Sequence, residues 1–482
     1  MTDSTGREPE DRPPPGAPGH VTSIEDTEET RLNRVITRPM LTFFILGDIL
    51  GSGIYALTGE VAADVGGAIW ASFIVAFALA FVTAFAYLEL VTKYPRAAGA
   101  ALYVHRAFAI SILSFLVTIA VMSSGVTSAS FAATRIGGRY FEGLFGVENP
   151  PTILIAILVI CLVAAVNYWG VGESIRINIG ISLIELTGLL FIVAIGIYVL
   201  FSGDGNPGQA FEFKDSGLGA LNGVVAGAAT GFYAFIGFED SVNMAEEVKD
   251  PARTFPPALI TGIVAASIIY LLVGFTAAMV VPLDVLTEST GPLLEIVRIG
   301  VPDLNVDTAF AAVAMIAVSN TMLINMLMAS RLLYGMANQG VLPAAFGLVS
   351  PSRRTPWFSI IFTTALSIVL ILLVDDFANL ADTTVLLLTA VFLLVNICVL
   401  VLRRDPVAHD HFVAPSFLPI IGAVVSAVFL LPLDRDGQIY LLAIYLLIGG
   451  LVLWGINYAV TRRTGTVVEE ADLTREDGPD RR

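Results

Sequence analysis

The chain has 482 residues, of which 56% are hydrophobic and only 14% charged, against about 25% charged in an average soluble protein. That balance excludes a soluble globular fold and points to a polytopic membrane protein. The formal net charge of −16 sits largely in polar tails such as Glu25-Asp26-Thr27-Glu28-Glu29 and Glu469-Glu470-Ala471-Asp472, which read as solvated segments with no signal for nucleic acid.

Residues 1–39 form the first tail, expected to be disordered and cytoplasmic. They hold Pro13-Pro14-Pro15 and many charges but no apolar core of a cleavable signal peptide, so the first membrane segment is expected to stay in place. A spanning helix needs about 20 apolar residues. Twelve segments meet that pattern, at roughly 40–60, 67–92, 108–135, 151–168, 178–201, 220–243, 257–281, 307–333, 357–374, 381–402, 416–432 and 438–460. They make residues 40–460 one all-α membrane domain, with a short helix near Ala97 before the third segment. Residues 461–482 form an acidic cytoplasmic tail.

With the amino terminus in the cytoplasm, sixteen lysines and arginines fall at the inner loops and helix ends, among them Arg38, Lys93, Lys249, Arg331 and Arg403. Only five fall outside: Arg135, Arg139, Lys214, Arg298 and Arg435. That asymmetry places both termini inside a cell membrane, which requires an even number of spans. Cys161 and Cys398 each lie in an apolar run and read as small buried hydrophobes, with no disulfide or metal site suggested.

Two segments break the helical pattern. In the first, Gly47-Asp-Ile-Leu-Gly51-Ser52-Gly53-Ile-Tyr-Ala-Leu-Thr-Gly59 places four glycines where an unbroken helix belongs. Each costs about 1 kcal/mol relative to alanine in a helix interior. Open backbone in a bilayer is tolerated only where it lines a cavity or is buried in protein. Gly51-Ser52-Gly53 is therefore a candidate site made from main chain; close helix packing through small residues is the alternative. In the sixth segment, Gly231-Phe-Tyr-Ala-Phe-Ile-Gly237-Phe-Glu239-Asp240 puts a glycine and two adjacent carboxylates at membrane depth, after a Gly223, Gly227, Gly231 stripe suited to close packing. Breaks five segments apart are the pointer to an inverted repeat with substrate at its interface. Half-helix amino termini favour an anion and freed carbonyls a cation, so a zwitterion such as an amino acid suits the site. Glu239, Asp240 and Asn243 read as gating groups or as a polar cytoplasmic vestibule.

Four stretches resemble the amino acid–polyamine–organocation transporters, and within them the cationic amino acid transporter-like branch. They are Gly47-Asp-Ile-Leu-Gly-Ser-Gly-Ile-Tyr with Gly59-Glu60-Val61-Ala62; Tyr87-Leu-Glu89 through Pro95-Arg96-Ala-Ala-Gly99 to Tyr103; Phe235-Ile-Gly237-Phe238 with Glu246-Glu247-Val-Lys249-Asp-Pro251 and Pro256; and Ser330-Arg331-Leu-Leu-Tyr334 with Gly340-Val-Leu-Pro343. The resemblance implies a 5+5 inverted repeat with two extra C-terminal helices, and helices 1 and 6 interrupted. It also implies that a substrate carboxylate meets the amides of Ser52 and Gly53 near Gly51, and that the ammonium meets carbonyls near Ile49, Phe232, Ala234 and Phe235, with Gly237 beside them. Phe232, Tyr233 and Phe235 include the expected aromatic lid, with ordinary helix packing as the alternative for each.

Many proton-coupled relatives place a lysine in the fifth helix. Counting from Glu173-Ser174-Ile-Arg176-Ile-Asn178, which resembles the start of that helix, brings Glu185 to the lysine's position. An ionisable residue inside a membrane helix is a functional candidate by default. A carboxylate there can carry H+, bind Na+ or make an inter-helix hydrogen bond; Ser319, Asn320 and Thr321 of the eighth segment are its candidate partners. The leading reading is a secondary active amino acid permease, proton-coupled or exchanging, working by alternating access and not an enzyme. No Walker loop or nucleotide-binding domain supports primary transport, and no cofactor is implied. A transport-like amino acid sensor, a polyamine or other organocation transporter, and a channel are the other classes weighed.

Overall fold

The computed structural model describes residues 34, 36–96, 99–169, 174–214, 219–304, 306–338, 342–353, 355–431 and 436–464. Nearly all of the two expected tails lies outside the described residues. Among the described residues twelve apolar helices follow one another: α1 (Arg38–Val65), α2 (Ile69–Lys93), α3 (Ser111–Phe145), α4 (Thr152–Trp169), α5 (Asn178–Ser202), α6 (Ala220–Ala245), α7 (Pro251–Val280), α8 (Thr308–Asn338), α9 (Trp357–Leu373), α10 (Ala378–Leu402), α11 (Phe417–Phe429) and α12 (Gly437–Ala459). Ten of them are long and apolar enough to cross a membrane; α9 and α11, with 17 and 13 residues, are shorter than that. The short helix expected near Ala97 is Gly99–Phe108, separate from α3. No named strand occurs among the described residues, only two isolated β-bridges.

Burial separates a centre from a periphery. In the most apolar stretch of α1 and of α3, 78% of residues are buried, against 22% in α4 and 17% in α12. The outer helices turn bare apolar side chains outward, including Leu162, Phe201, Leu373 and Tyr445, as a lipid-facing surface requires. At the centre, the first half of α1 packs on α5 and α7, and its second half on α6; α3 packs on α8 and α10. The glycine stripe of α6 is a contact face: a Cβ on Gly223 would lie 2.8 Å from the Asp64 carbonyl oxygen, and one on Gly227 would lie 2.6 Å from the Ser72 hydroxyl.

The two helices with broken sequence patterns are joined at both ends. Before α1, Ile36 bridges Val248 beyond α6, with Ile36 N–H donating to the Glu247 carbonyl at 3.0 Å and Lys249 N–H to the Ile36 carbonyl at 3.0 Å. At the far end, Gly66 bridges Phe213 ahead of α6, and Lys214 N–H donates to the Val65 carbonyl at 2.8 Å.

Candidate functional site

Near its middle, α1 stops and restarts. Leu50 closes the first half, its N–H donating to the Leu46 carbonyl; Gly51 turns away at φ −71°, ψ −144°, and a new helix begins at Ser52. A helix start exposes amides with no partner in their own helix. Here the Ser52 N–H donates to the Thr321 hydroxyl of α8 at 3.0 Å. A Cβ on Gly51 would sit 1.8 Å from that same oxygen. A Cβ on Gly53 would sit 2.4 Å from the Ala234 Cα. The two glycines thus do different work: Gly51 makes room for a capping side chain, and Gly53 lets α1 touch the backbone of α6. Close packing through small residues, the alternative reading of the glycine pattern, describes the contact of Gly53 with Ala234.

The break in α6 has another form. The α-helix ends at Gly231, a 3-10 turn covers Phe232–Phe235, Ile236 is extended, and a second 3-10 stretch covers Asp240–Glu247. Between them Gly237 holds φ +127°, where any side chain is strained. Its N–H donates to Glu239 Oε2 at 2.9 Å, and a Cβ there would lie 2.9 Å from the Asp48 carbonyl oxygen. The carbonyls released by the two breaks meet one donor. The Tyr270 hydroxyl of α7 shares its proton between the carbonyl of Ile49 and that of Ala234, the latter at 3.0 Å.

A cavity of about 10 Å³ lies between the breaks, room for about one water. It is lined by Asp48, Ile49, Gly51, Ser52, Gly53, Ser128, Tyr233, Ile236, Gly237, Asp240, Thr321 and Asn325. The Tyr233 hydroxyl bonds Ser52 Oγ at 3.2 Å and Ser128 Oγ at 2.7 Å, and Asn325 Nδ2 donates to Ser128 Oγ at 3.3 Å. Four helices, α1, α3, α6 and α8, therefore converge there through hydroxyls and one amide. A second cavity shares Asp240 and Asn325 and continues along Glu239, Ser124 and Met328.

Of the residues named from sequence, Ile49, Gly51, Ser52, Gly53 and Gly237 line the first cavity; Phe232, Ala234 and Phe235 do not. The Phe232 ring packs on Phe392 at 5.9 Å, and the Phe235 ring on Tyr270 at 5.2 Å. Tyr233 is the one aromatic of the expected lid at the cavity, its ring edge-on to Phe131 at 5.5 Å. Asp48, Ser128, Asn325 and Tyr270 carry no role in the sequence reading. The signal for the first three is a polar side chain inside an apolar helix; a tyrosine in an apolar helix such as α7 looks like ordinary packing.

Glu185 is fully buried on α5, and neither carboxyl oxygen has a hydrogen-bond partner among the described residues. Asn320 lies beside it and accepts from Asn178 Nδ2 at 3.4 Å, leaving its own Nδ2 unpartnered. Ser319 instead donates to the Met315 carbonyl of its own helix at 2.6 Å, and Thr321 turns to Ser52. One turn before Glu185, Ser182 is so close to α1 that a Cβ on Gly47 would lie 1.7 Å from its hydroxyl.

Two further motif residues hold the ends of the assembly. Glu89 makes paired hydrogen bonds to Arg403 at 2.7 and 2.8 Å and accepts from Ala414 N–H at 2.9 Å, fastening the α10–α11 loop to α2. Glu60, on the second half of α1, pairs with Arg135 of α3, and Arg139 with Glu295.

Ten helices long and apolar enough to span a bilayer, two of them broken around a shared polar cavity, define the class: a multi-pass membrane protein. The chain belongs to the amino acid permease family, which it matches over residues 36–459, and so to the amino acid–polyamine–organocation superfamily. It is similar to the methylthioribose transporter of Bacillus subtilis (strain 168), 28% identical over 423 residues that cover 83% of this chain and 87% of that one. The branched-chain amino acid permease BcaP of the same organism is 28% identical over 436 residues, 84% of this chain and 88% of its own. The vacuolar cationic amino acid transporter 4 of Arabidopsis thaliana is 28% identical over 392 residues, 75% of this chain but 62% of its own. The family is one of transporters.

Proposed function

We propose that the chain is a secondary active transporter of α-amino acids across the cell membrane, with both termini cytoplasmic. It would alternate access between the two sides through a pseudo-symmetric 5+5 core of ten spans and two added helices. The observation that carries this reading is the meeting of two helix breaks at one cavity, with the amide end of a half-helix at Ser52 and Gly53 on one side of it, the Ser52 N–H itself donating to Thr321. That end suits the substrate carboxylate. The cavity in its present shape is far smaller than an amino acid, so binding requires α1 and α6 to separate, which is what alternating access demands. Relatives named for branched-chain amino acids, cationic amino acids and methylthioribose leave the substrate side chain open.

Coupling in this proposal runs through Glu185, fully buried beside Asn320 on the helix that touches the first half of α1. A proton taken up there from outside and released inside would link substrate movement to the pH gradient. The test is uptake into proteoliposomes. Glu185→Gln mimics the permanently protonated form; substrate binding and counterflow at equal pH should survive, while accumulation driven by an inward proton gradient should fall at least tenfold, to the level of the ungated control. Full accumulation by the glutamine variant would remove Glu185 from coupling. Uptake by the wild type that follows external Na+ and ignores pH would make the carboxylate an ion ligand instead.

A further inference from the structure

The cavity between the breaks contains a group that the transport cycle above leaves unused. Asp48 belongs to the first half of α1 and is 4% exposed. It lines the cavity, and its Oδ2 has no hydrogen-bond partner among the described residues. Its carboxyl packs against the second break: a Cβ on Gly237 would lie 3.0 Å from Asp48 Cγ. Asp240 lines the same cavity and the adjoining one, and among the described residues no lysine, arginine or histidine lines either. A desolvated carboxyl whose Oδ2 has no partner either keeps a proton or meets a cation, so the space beside Asp48, with Asp240 on the same wall, is suited to receive positive charge. The usual receiver at such a break, the freed main-chain carbonyl, is already engaged: those of Ile49 and Ala234 both accept from Tyr270. A carbonyl keeps a second lone pair, but a carboxylate one residue away from Ile49, ionised when an ammonium meets it, is the stronger acceptor.

We infer that the substrate's ammonium group docks on the Asp48 carboxylate, beside the carbonyls of the two breaks, with Asp240 as the next acceptor toward the adjoining cavity. This rests on the cavity being the substrate site. The substrate is then a compound with a free amine close to its carboxylate, and an amine-free sugar is rejected. The amide end at Ser52 and the carboxylate at Asp48, four residues apart on one strand of chain, read the two charges of a zwitterion.

The full chain, purified in detergent, is screened by thermal shift against the twenty proteinogenic L-amino acids. The strongest stabiliser is then compared with its amide, which lacks the carboxylate, and with its 2-hydroxy acid, which lacks the ammonium. Wild type is expected to prefer the amino acid to the hydroxy acid by about 10- to 100-fold in apparent affinity, the range for a hydrogen bond to a charged group. In Asp48→Asn that preference should shrink to within a few-fold, while the preference over the amide persists. Asp48→Ser gives the same readout if the asparagine variant does not fold. An unchanged preference over the hydroxy acid in either variant overturns the assignment of Asp48 and leaves the transport reading standing. Stabilisation of wild type by Na+ alone, with equal binding of amino acid and hydroxy acid, overturns it in favour of a cation site. Equal binding of amino acid and amide by wild type removes the carboxylate reading at Ser52; stabilisation by no amino acid removes both.

Discussion

The two breaks at the centre of the molecule look alike in sequence and differ in cause. At Gly51 the backbone keeps a negative φ of −71°; what the site needs is space, because Thr321 occupies the position a side chain would take. At Gly237 the backbone itself is out of reach of other residues, at φ +127°, and space is short as well. The first break is therefore a docking of one helix end onto a neighbour's hydroxyl, reversible by changing that neighbour. The second is a conformation that only glycine holds cheaply. A glycine in a membrane helix can thus report crowding or torsion, and the two respond to different substitutions.

The largest expected effect breaks the comparison at its rigid end. Gly237→Ala must move to a new backbone conformation, at a cost on the order of 1–3 kcal/mol for the strain alone, and push α1 away at the Asp48 carbonyl. Loss of the monodisperse peak in size-exclusion chromatography, or a large fall in the unfolding midpoint, is expected, and no side-chain replacement nearby should restore it. An alanine variant as stable as wild type would show that the positive φ is dispensable.

The second effect sharpens the comparison at its adaptable end. Gly51→Ala should destabilise, because its Cβ meets the Thr321 hydroxyl. Adding Thr321→Ala removes that oxygen, and the double variant should recover much of the loss, a coupling of about 0.5–3 kcal/mol in a double-mutant cycle. Gly53→Ala, whose neighbour is the Ala234 Cα, should show no rescue by Thr321→Ala. Additive behaviour of Gly51→Ala and Thr321→Ala would mean that crowding is not the cause of the first break. The smallest effect concerns the side-chain tie between the two breaks. Tyr233→Phe removes the hydroxyl that joins Ser52 and Ser128, and should cost about 0.5–1.5 kcal/mol of stability. A cost several times larger would make that tie, and not the backbone, the main link.

Much of this architecture is legible in the sequence because lipid permits so few structures. Apolar runs of sufficient length place nine of the ten longer helices to within six residues at either end, and glycines with carboxylates inside such runs mark both breaks. The third helix extends past its expected end at Arg135 because a π-helical turn at Ile136–Tyr140 carries it on to Phe145, and periodicity does not register such a turn. The segments expected at 357–374 and 416–432 form shorter helices than a full span. The end of the second of these falls at residue 432, outside the described residues. Hidden in the sequence are contacts between distant segments. Nothing local tells that Thr321 caps Ser52, 269 positions away, that Tyr270 serves two carbonyls at once, or that Phe232 and Phe235 turn to neighbouring helices and leave Tyr233 at the cavity.

The paired ends of α1 and α6 bear on how the centre can move. With Ile36 bridged to Val248 at one extremity and Gly66 to Phe213 at the other, the two helices form a frame pinned at both corners. A pinned frame does not slide; it folds at its weakest points, and each rail has one, at Gly51 and at Gly237. Any tilt of the first half of α1 drags the last part of α6 with it through the Ile36–Val248 pin. In the proposed transport cycle, opening on one face would be a concerted swing of two half-rails, with the Gly66–Phe213 pin holding the opposite face.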